Sequence, residues 1–179
     1  MPALFLSYPR KSHRKIVYFP KQNVQLAELI GIIYGDGAIG NLWQVVISLN
    51  SISDKIYAEY VSGLFSELFH VSVSIRKRPN QNTLVVVCSS TSIVEYLVQH
   101  GAVRGSKLAS KLNVTFWIMQ NDSFLKAFIR GLIDTDGCIF HHKHFTNGHH
   151  YVNIGLCFTN FSADLILEVD VILKEHGIN

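Results

Sequence analysis

"GIIYGDGAIG", Gly31–Gly40, and "GLIDTDGCIF", Gly131–Phe140, are two versions of one pattern: an apolar run closing on an acid and a glycine. Adding 100 to the first numbering superposes Gly31 on Gly131, Ile33 on Ile133, Asp36 on Asp136, Gly37 on Gly137 and Ile39 on Ile139. Such self-similarity marks one structural unit used twice. Leu26, Leu29, Ile30 and Ile33 recur at helical spacing, and the glycines stop the helix. An acid at a helix C-terminus faces unpaired carbonyls and the negative end of the macrodipole, which disfavours it by about 0.3–1 kcal/mol. A plain Asp-Gly turn with Gly37 in the left-handed conformation is one account. The repeat supports another. Gly31 and Gly35 lie four apart on one face, as do Gly131 and Thr135, and small residues so placed let helices meet at backbone distance. Asp36 and Asp136 would then stand side by side, a charge density that a divalent cation relieves. Hard oxygen ligands suit Mg²⁺, which activates water and offsets charge in phosphoryl displacement.

Outward from the first motif, "NLWQVVISLN" reads as a strand. Ser53 is the expected N-cap, with Asp54 in the first turn, of a helix whose stripe includes Ile56, Tyr60, Leu64 and Leu68. "VSVSIRKRPNQNTLVVVCSS" gives two strands around a turn at Pro79 to Asn82, and Ser92 with Glu95 forms a capping box for a helix ending at Gly101. In the second round Asn121 or Asp122 caps "NDSFLKAFIRGLID", "YVNIGLCFTN" is strand-like, and Ser162 opens "ADLILEVDVILKEHG". The resulting organisation is an N-terminal extension at 1–22, a first repeat at 23–101, a basic connector at 102–121 and a second repeat at 122–179.

The chain has 179 residues, 48% hydrophobic and 16% charged, enough for one good-sized domain or two small ones sharing a core. The net charge is only +3, but basic residues cluster at Arg10, Lys11, Arg14 and Lys15, at Arg76–Arg78, and at Arg104, Lys107 and Lys111, the pattern of a phosphate-facing surface. Cys88, Cys138 and Cys157 offer neither a disulfide framework nor C-x-x-C spacing, which fits a reducing compartment. No apolar stretch reaches membrane-spanning length, and the expectation is a soluble intracellular protein with no membrane partner. There is no glycine-rich nucleotide loop and no nucleophile motif.

"LIGIIYGDG" and "IRGLIDTDG" resemble the two signature motifs of the LAGLIDADG homing endonucleases of the single-chain, two-repeat type, encoded in introns and inteins. The second copy keeps G-L-I-D-x-D-G; the first has Tyr34 where the signature has an acid. "VRGSKLASKLNVTFWI" is similar to that family's basic connector and "FTNFSADLILEV" to its strand-to-helix turn, so the resemblance runs from about Gln25 to the C-terminus. It implies an α+β fold of two pseudo-symmetric αββαββα repeats, with signature helices packed at the centre and antiparallel sheets forming a saddle over double-stranded DNA. It implies hydrolysis of one phosphodiester on each strand, with Mg²⁺ held by Asp36 and Asp136 and the backbone carbonyls of Gly35 and Thr135; Mn²⁺ or Ca²⁺ can substitute for binding. It also implies a monomer.

Ser48 and Asn50, and Thr159 and Asn160, stand where the family arranges groups around the catalytic water, often Lys or Gln. Lys107 is a candidate to offset phosphate charge. Arg76, Lys77 and Arg78, with Asn80, Gln81 and Asn82 at their turn, Arg104, Lys143, Ser48 and Thr159 are candidate DNA contacts, since a two-stranded ribbon fits the major groove. Five histidines between His141 and His150 fall on an expected exposed hairpin turned by "TNG", facing solvent or DNA rather than zinc. Tyr34 and Asp134 are assigned to capping and interface packing. The second repeat reads as shortened by about a hairpin and a helix, with an open sheet edge and a tendency to self-association as the expected results. Two other classes share this architecture, an intron RNA maturase and a non-cleaving DNA-binding protein.

Overall fold

The computed structural model describes residues 17–178. The basic group Arg10, Lys11, Arg14 and Lys15 lies outside them. The first half runs α1 (Val24–Tyr34), β1 (Gly37–Ala38), β2 (Gln44–Asn50), α2 (Lys55–Phe69), β3 (Ser74–Lys77), β4 (Thr83–Ser89) and α3 (Thr91–Gln99), the expected αββαββα order. A connector containing a 3-10 turn at Lys107–Ala109 and the short helix α4 (Phe116–Met119) leads to α5 (Asp122–Asp136), β5 (Gly137–Thr146), β6 (His149–Phe158) and α6 (Ala163–Glu175). The first four strands form an antiparallel sheet in the order β1-β2-β4-β3, while β5 and β6 form a separate hairpin. No helix among the described residues is long and apolar enough to cross a membrane.

Local chemistry explains most helix starts. The side chain of Asn23 accepts from the Leu26 amide at 2.8 Å, that of Asn121 from Ser123 and Phe124, and that of Ser162 from Leu165. Two expected caps are displaced. Ser53 does not cap α2; Asp54 occupies that position, and its carboxylate accepts instead from the Asn50 amide at 2.8 Å. Ser90 rather than Ser92 caps α3, because the Ser90 amide still bonds to the Trp43 carbonyl of the sheet before the chain turns. The buried stripe of α2 is Ala58, Val61, Leu64, Phe65, Leu68 and Phe69, whereas Ile56 is 83% exposed. A strict spacing of four drifts by about 40° per step on a helix of 3.6 residues per turn, so the run Ile56, Tyr60, Leu64, Leu68 leaves the core at its N-terminal end.

Helix α1, apolar from Leu26 to Tyr34 except for Glu28, is buried at the centre and crossed by α5. The crossing is reciprocal. A β-carbon on Gly31 would lie 2.1 Å from the Phe128 carbonyl oxygen, and one on Gly131 would lie 2.4 Å from that of Glu28, the repeat equivalent of Phe128. Gly37 and Gly137 do not have positive φ, so the left-handed turn reading of Gly37 does not hold. They are glycines because a β-carbon would fall 2.4 Å from the Ile33 α-carbon and 2.5 Å from the Ile133 oxygen respectively. The chain folds straight back from each helix into a strand.

The halves differ in cover. Ile39 is fully buried, whereas its equivalent Ile139 is 69% exposed. Among the described residues β6 has no strand on its outer edge. The hairpin closes through a two-residue turn, Asn147 and Gly148, both at positive φ, joining Thr146 to its partner His149.

Candidate active site

Because α1 and α5 meet at their glycine faces, their C-termini converge. A β-carbon on Gly35 would fall 2.0 Å from the Thr135 hydroxyl and 3.3 Å from the Asp136 carboxyl carbon. Asp36 and Asp136 line one cleft of about 420 Å³ together with Gly35, Lys107, Thr159 and Asn160. Thr135 turns its hydroxyl to the Gly131 and Leu132 carbonyls at 2.9 and 3.0 Å, and that oxygen and the β-carbon are the atoms that lie against Gly35.

The strand ladders fix each acid in the same way. Ser48 donates its amide to the Asp36 carbonyl at 3.0 Å and Thr159 donates to the Asp136 carbonyl at 3.1 Å. Directly opposed residues of an antiparallel pair share a face. Asp36 with Ser48, and Asp136 with Thr159, therefore stand on the sheet faces turned away from the core, one step from the inward pairs Gly37–Ile47 and Gly137–Phe158.

Asn160 donates its side-chain amide to the Asp136 carboxylate at 2.5 Å. Its carbonyl oxygen accepts from Ser162, and the oxygen of Asn50 accepts from Ile52 in an equivalent turn, at 2.9 and 2.8 Å. The second half reaches this turn one residue sooner after its ladder pair, which brings Asn160 to the acid. Asn50 is exposed at the strand end, and its bonds are to Ile52, Ser53 and Asp54 rather than to Asp36.

Lys107 supplies the cation of the cleft. Its ammonium donates to the carbonyls of Ile33 at 3.2 Å, Tyr34 at 3.0 Å and Gly35, which satisfies the end of α1. The connector is pinned around it: the Tyr34 hydroxyl donates to Gly101 and Asn113, and the Gly105 amide donates to Ile39. Tyr34 also packs edge-on against Phe128 across the helix crossing. Burial pushes the Tyr34 hydroxyl up to about 12.

Burial, then the charge of Asp136, raises the Asp36 carboxyl to about 6, against the opposing pull of Lys107. Burial raises Asp136 as well, while the Asn160 amide and Lys107 lower it. Burial lowers Lys107, and the two carboxylates pull it back up. The cleft thus holds two half-buried acids beside one lysine whose ammonium is bonded to the α1 carbonyls. Among the described residues no three His, Cys, Asp or Glu side chains converge as a metal site.

The remaining candidates are spread over the outer sheet. Arg76 stands opposite Val85, itself opposite Ser48, so it shares the face of Asp36; Lys77 stands opposite Leu84 on the core side. Lys143 stands opposite Val152 on the hairpin face of Gly137, away from the acids. Arg78, Asn80, Gln81, Asn82 and Arg104 are exposed, and Asn80 takes a positive φ at its turn.

A polar cluster flanking the crossing was not anticipated. Glu28, 1% exposed, is paired with Arg130 of α5 and accepts from the Tyr60 hydroxyl of α2 at 2.6 Å. The available signal was Glu28 itself, the one acid within an otherwise apolar helix, since a buried carboxylate needs partners. Asp134, beside this pair, is raised by burial and by Glu28.

Residues 123–179 match the family described as LAGLIDADG-like domain. The fold is similar to that of I-LtrWI, a LAGLIDADG homing endonuclease solved bound to target DNA, with TM-score 0.53 and 13% identity over 85% of this chain and 72% of that one. The meganuclease I-SmaMI, solved bound to uncleaveable DNA, gives 0.53 and 12% over 89% and 72%. The homing endonuclease I-DmoI, solved with DNA and Ca, gives 0.48 and 19% over 88% and 91%. No curated protein sequence matches the chain.

Proposed function

We propose, for a chain that folds as the two-motif LAGLIDADG proteins do and carries the LAGLIDADG-like domain over residues 123–179, a site-specific DNA endonuclease that cuts both strands of a duplex with a divalent cation. The observation carrying this reading is the glycine-to-glycine crossing that brings Asp36 and Asp136 into one cleft with Lys107. Two acids in one cleft, each raised by burial, are an arrangement that a bound cation or phosphate chemistry uses.

The donor set fits Mg²⁺. Two carboxylates and nearby backbone oxygens are hard ligands, and the charge of the cluster exceeds what one lysine neutralises. Asp36 and Asp136 would hold the metal, with the carbonyls of Gly35 and Thr135. The Gly35 oxygen keeps a second lone pair beside its bond to Lys107. When bound, such a cation activates water and stabilises the charge of phosphodiester hydrolysis. The chain's own groups do the rest. Asn160 fixes the orientation of Asp136, Lys107 lends its charge to the cleft from its place on the carbonyls of Ile33, Tyr34 and Gly35, and Ser48 and Thr159 flank the acids on the DNA side. Arg76 on the same face, with Arg78 and Arg104 and the polar turn at Asn80–Asn82, would hold backbone or base edges. Host location within an intron or intein belongs to the same proposal.

Incubation with a library of duplex sites and Mg²⁺, alongside Asp136→Asn, tests the assignment. The expected result is cleavage by the wild type and binding without cleavage by the variant. Equal cutting by both refutes the role of Asp136. Retention of structured intron RNA with no DNA cleavage would move the chain to the maturase class.

A further inference from the structure

The β-ladder sorts the histidine cluster by face. His142 opposite Asn153, His144 opposite Tyr151 and Thr146 opposite His149 lie on the hairpin face continuous with Asp136 and Thr159. His141 and His150 lie on the other. The first half has Arg76 on its corresponding face, a permanent cation, whereas this face of the hairpin has no Lys or Arg. Neither strand contains Asp or Glu, so no carboxylate of the hairpin competes for the imidazoles. Lys143 is on the opposite face, and α5, packed at the base of β5, brings Asp134 and Asp136.

The rings are placed for one another. His142 and His144 have centroids 5.4 Å apart, and His144 stacks on Tyr151 at 5.3 Å; its Nδ1 is enclosed without an acceptor, so a charge on His144 depends on the anion more than one on the exposed His142 does. Two imidazolium ions at that spacing repel, and an anion lying over them cancels the repulsion. A phosphate on this face therefore promotes protonation, and protonation in turn promotes phosphate binding.

We propose that His142, His144 and His149 form a proton-coupled phosphate contact, so that the second half grips duplex DNA through imidazolium ions and more tightly as pH falls. This rests on the reading of the chain as a duplex-binding protein. The two halves then respond differently to conditions: the Arg76 half to salt alone, the hairpin half to salt and pH together.

The test is fluorescence anisotropy of a labelled duplex of arbitrary sequence at constant salt, without divalent metal, across pH 7.5 to 6.0. The variants are the triple change His142→Asn, His144→Asn, His149→Asn, and Arg76→Gln. The wild type should tighten by about tenfold over that range, the triple variant should keep only the smaller slope that the Asp36 carboxyl, raised to about 6, contributes, and Arg76→Gln should weaken at every pH with the slope unchanged. Equal pH slopes for wild type and triple variant overturn the inference and leave the DNA reading intact. A wild type that does not bind duplex at all overturns both. If the triple variant does not fold, calorimetry of Asp36→Asn binding in two buffers of different ionisation enthalpy counts the protons directly, free of the carboxyl that also titrates near pH 6. Uptake of about one proton or more is expected, and none taken up overturns the inference.

Discussion

Asp36→Asn should make the metal-free protein more stable while removing its cleavage. In the native state burial and the neighbouring Asp136 lift the Asp36 carboxyl from 3.8 to about 6. At about 1.36 kcal/mol per unit this is about 3 kcal/mol against the charged form. Asp36 is only half-buried, and solvent screening reduces the figure to about 1–2 kcal/mol. The sign follows from proton linkage. The native state holds this proton more tightly than the unfolded chain, so stability associated with it is present below about pH 4 and is lost as pH rises through about 6. Asparagine removes the titration. The variant should therefore melt about 3–6 °C higher at pH 7.5 without metal, a gain that disappears near pH 4. Added Mg²⁺ should stabilise the wild type by mass action and leave the variant unchanged, narrowing or reversing the order. Thermal unfolding by circular dichroism at the two pH values, with chelator and with Mg²⁺, reads all of this. A variant no more stable than the wild type at pH 7.5 in chelator would refute the picture of two acids forced together.

Three further outcomes follow from specific contacts. Gly31→Ala pushes a methyl group into the Phe128 carbonyl and should destabilise by about 3 kcal/mol or prevent folding, measured by urea unfolding; an effect under about 0.5 kcal/mol would mean the helices separate easily. Glu28→Ala strands Arg130 and Tyr60, both of which can reach solvent, so its loss should be about 1–3 kcal/mol by the same assay rather than that of a fully enclosed pair. Asn160→Ala removes the amide that holds Asp136 ionised, and the acid limb of the cleavage rate against pH should move upward, whereas an unchanged limb would show that Asn160 serves only the turn.

The centre of the molecule was legible because its determinants are local and doubled. Helix α1 ends where Gly35 stops it, and the Gly31 and Gly131 faces meet as their four-residue spacing with Gly35 and Thr135 implied. Failures arose where distant partners decide. Ser92 looked like a cap by its spacing to Glu95, but a sheet bond from Ser90 to Trp43 sets where α3 begins. Lys77 and Lys143 carry the right charge for a DNA contact, yet the two-residue period of a strand turns each to the face opposite its neighbours. Asn50 and Asn160 look interchangeable in sequence; a one-residue difference in the path from ladder to turn gives only Asn160 a bond to the acid. The polar cluster of Glu28, Arg130 and Tyr60 joins three elements, and no local pattern names all three.

At Gly31 and Gly131 the two helices touch chiefly through peptide atoms, with the Ile32 side chain alone beside Gly131. Little there can shrink, swell or change rotamer, so the gap between Asp36 and Asp136 is held against substitutions elsewhere. The strands, by contrast, present side chains that can be exchanged one at a time. On the proposed reading as an endonuclease, such a molecule can drift to new recognition sequences over generations while its two acids stay set at the same width.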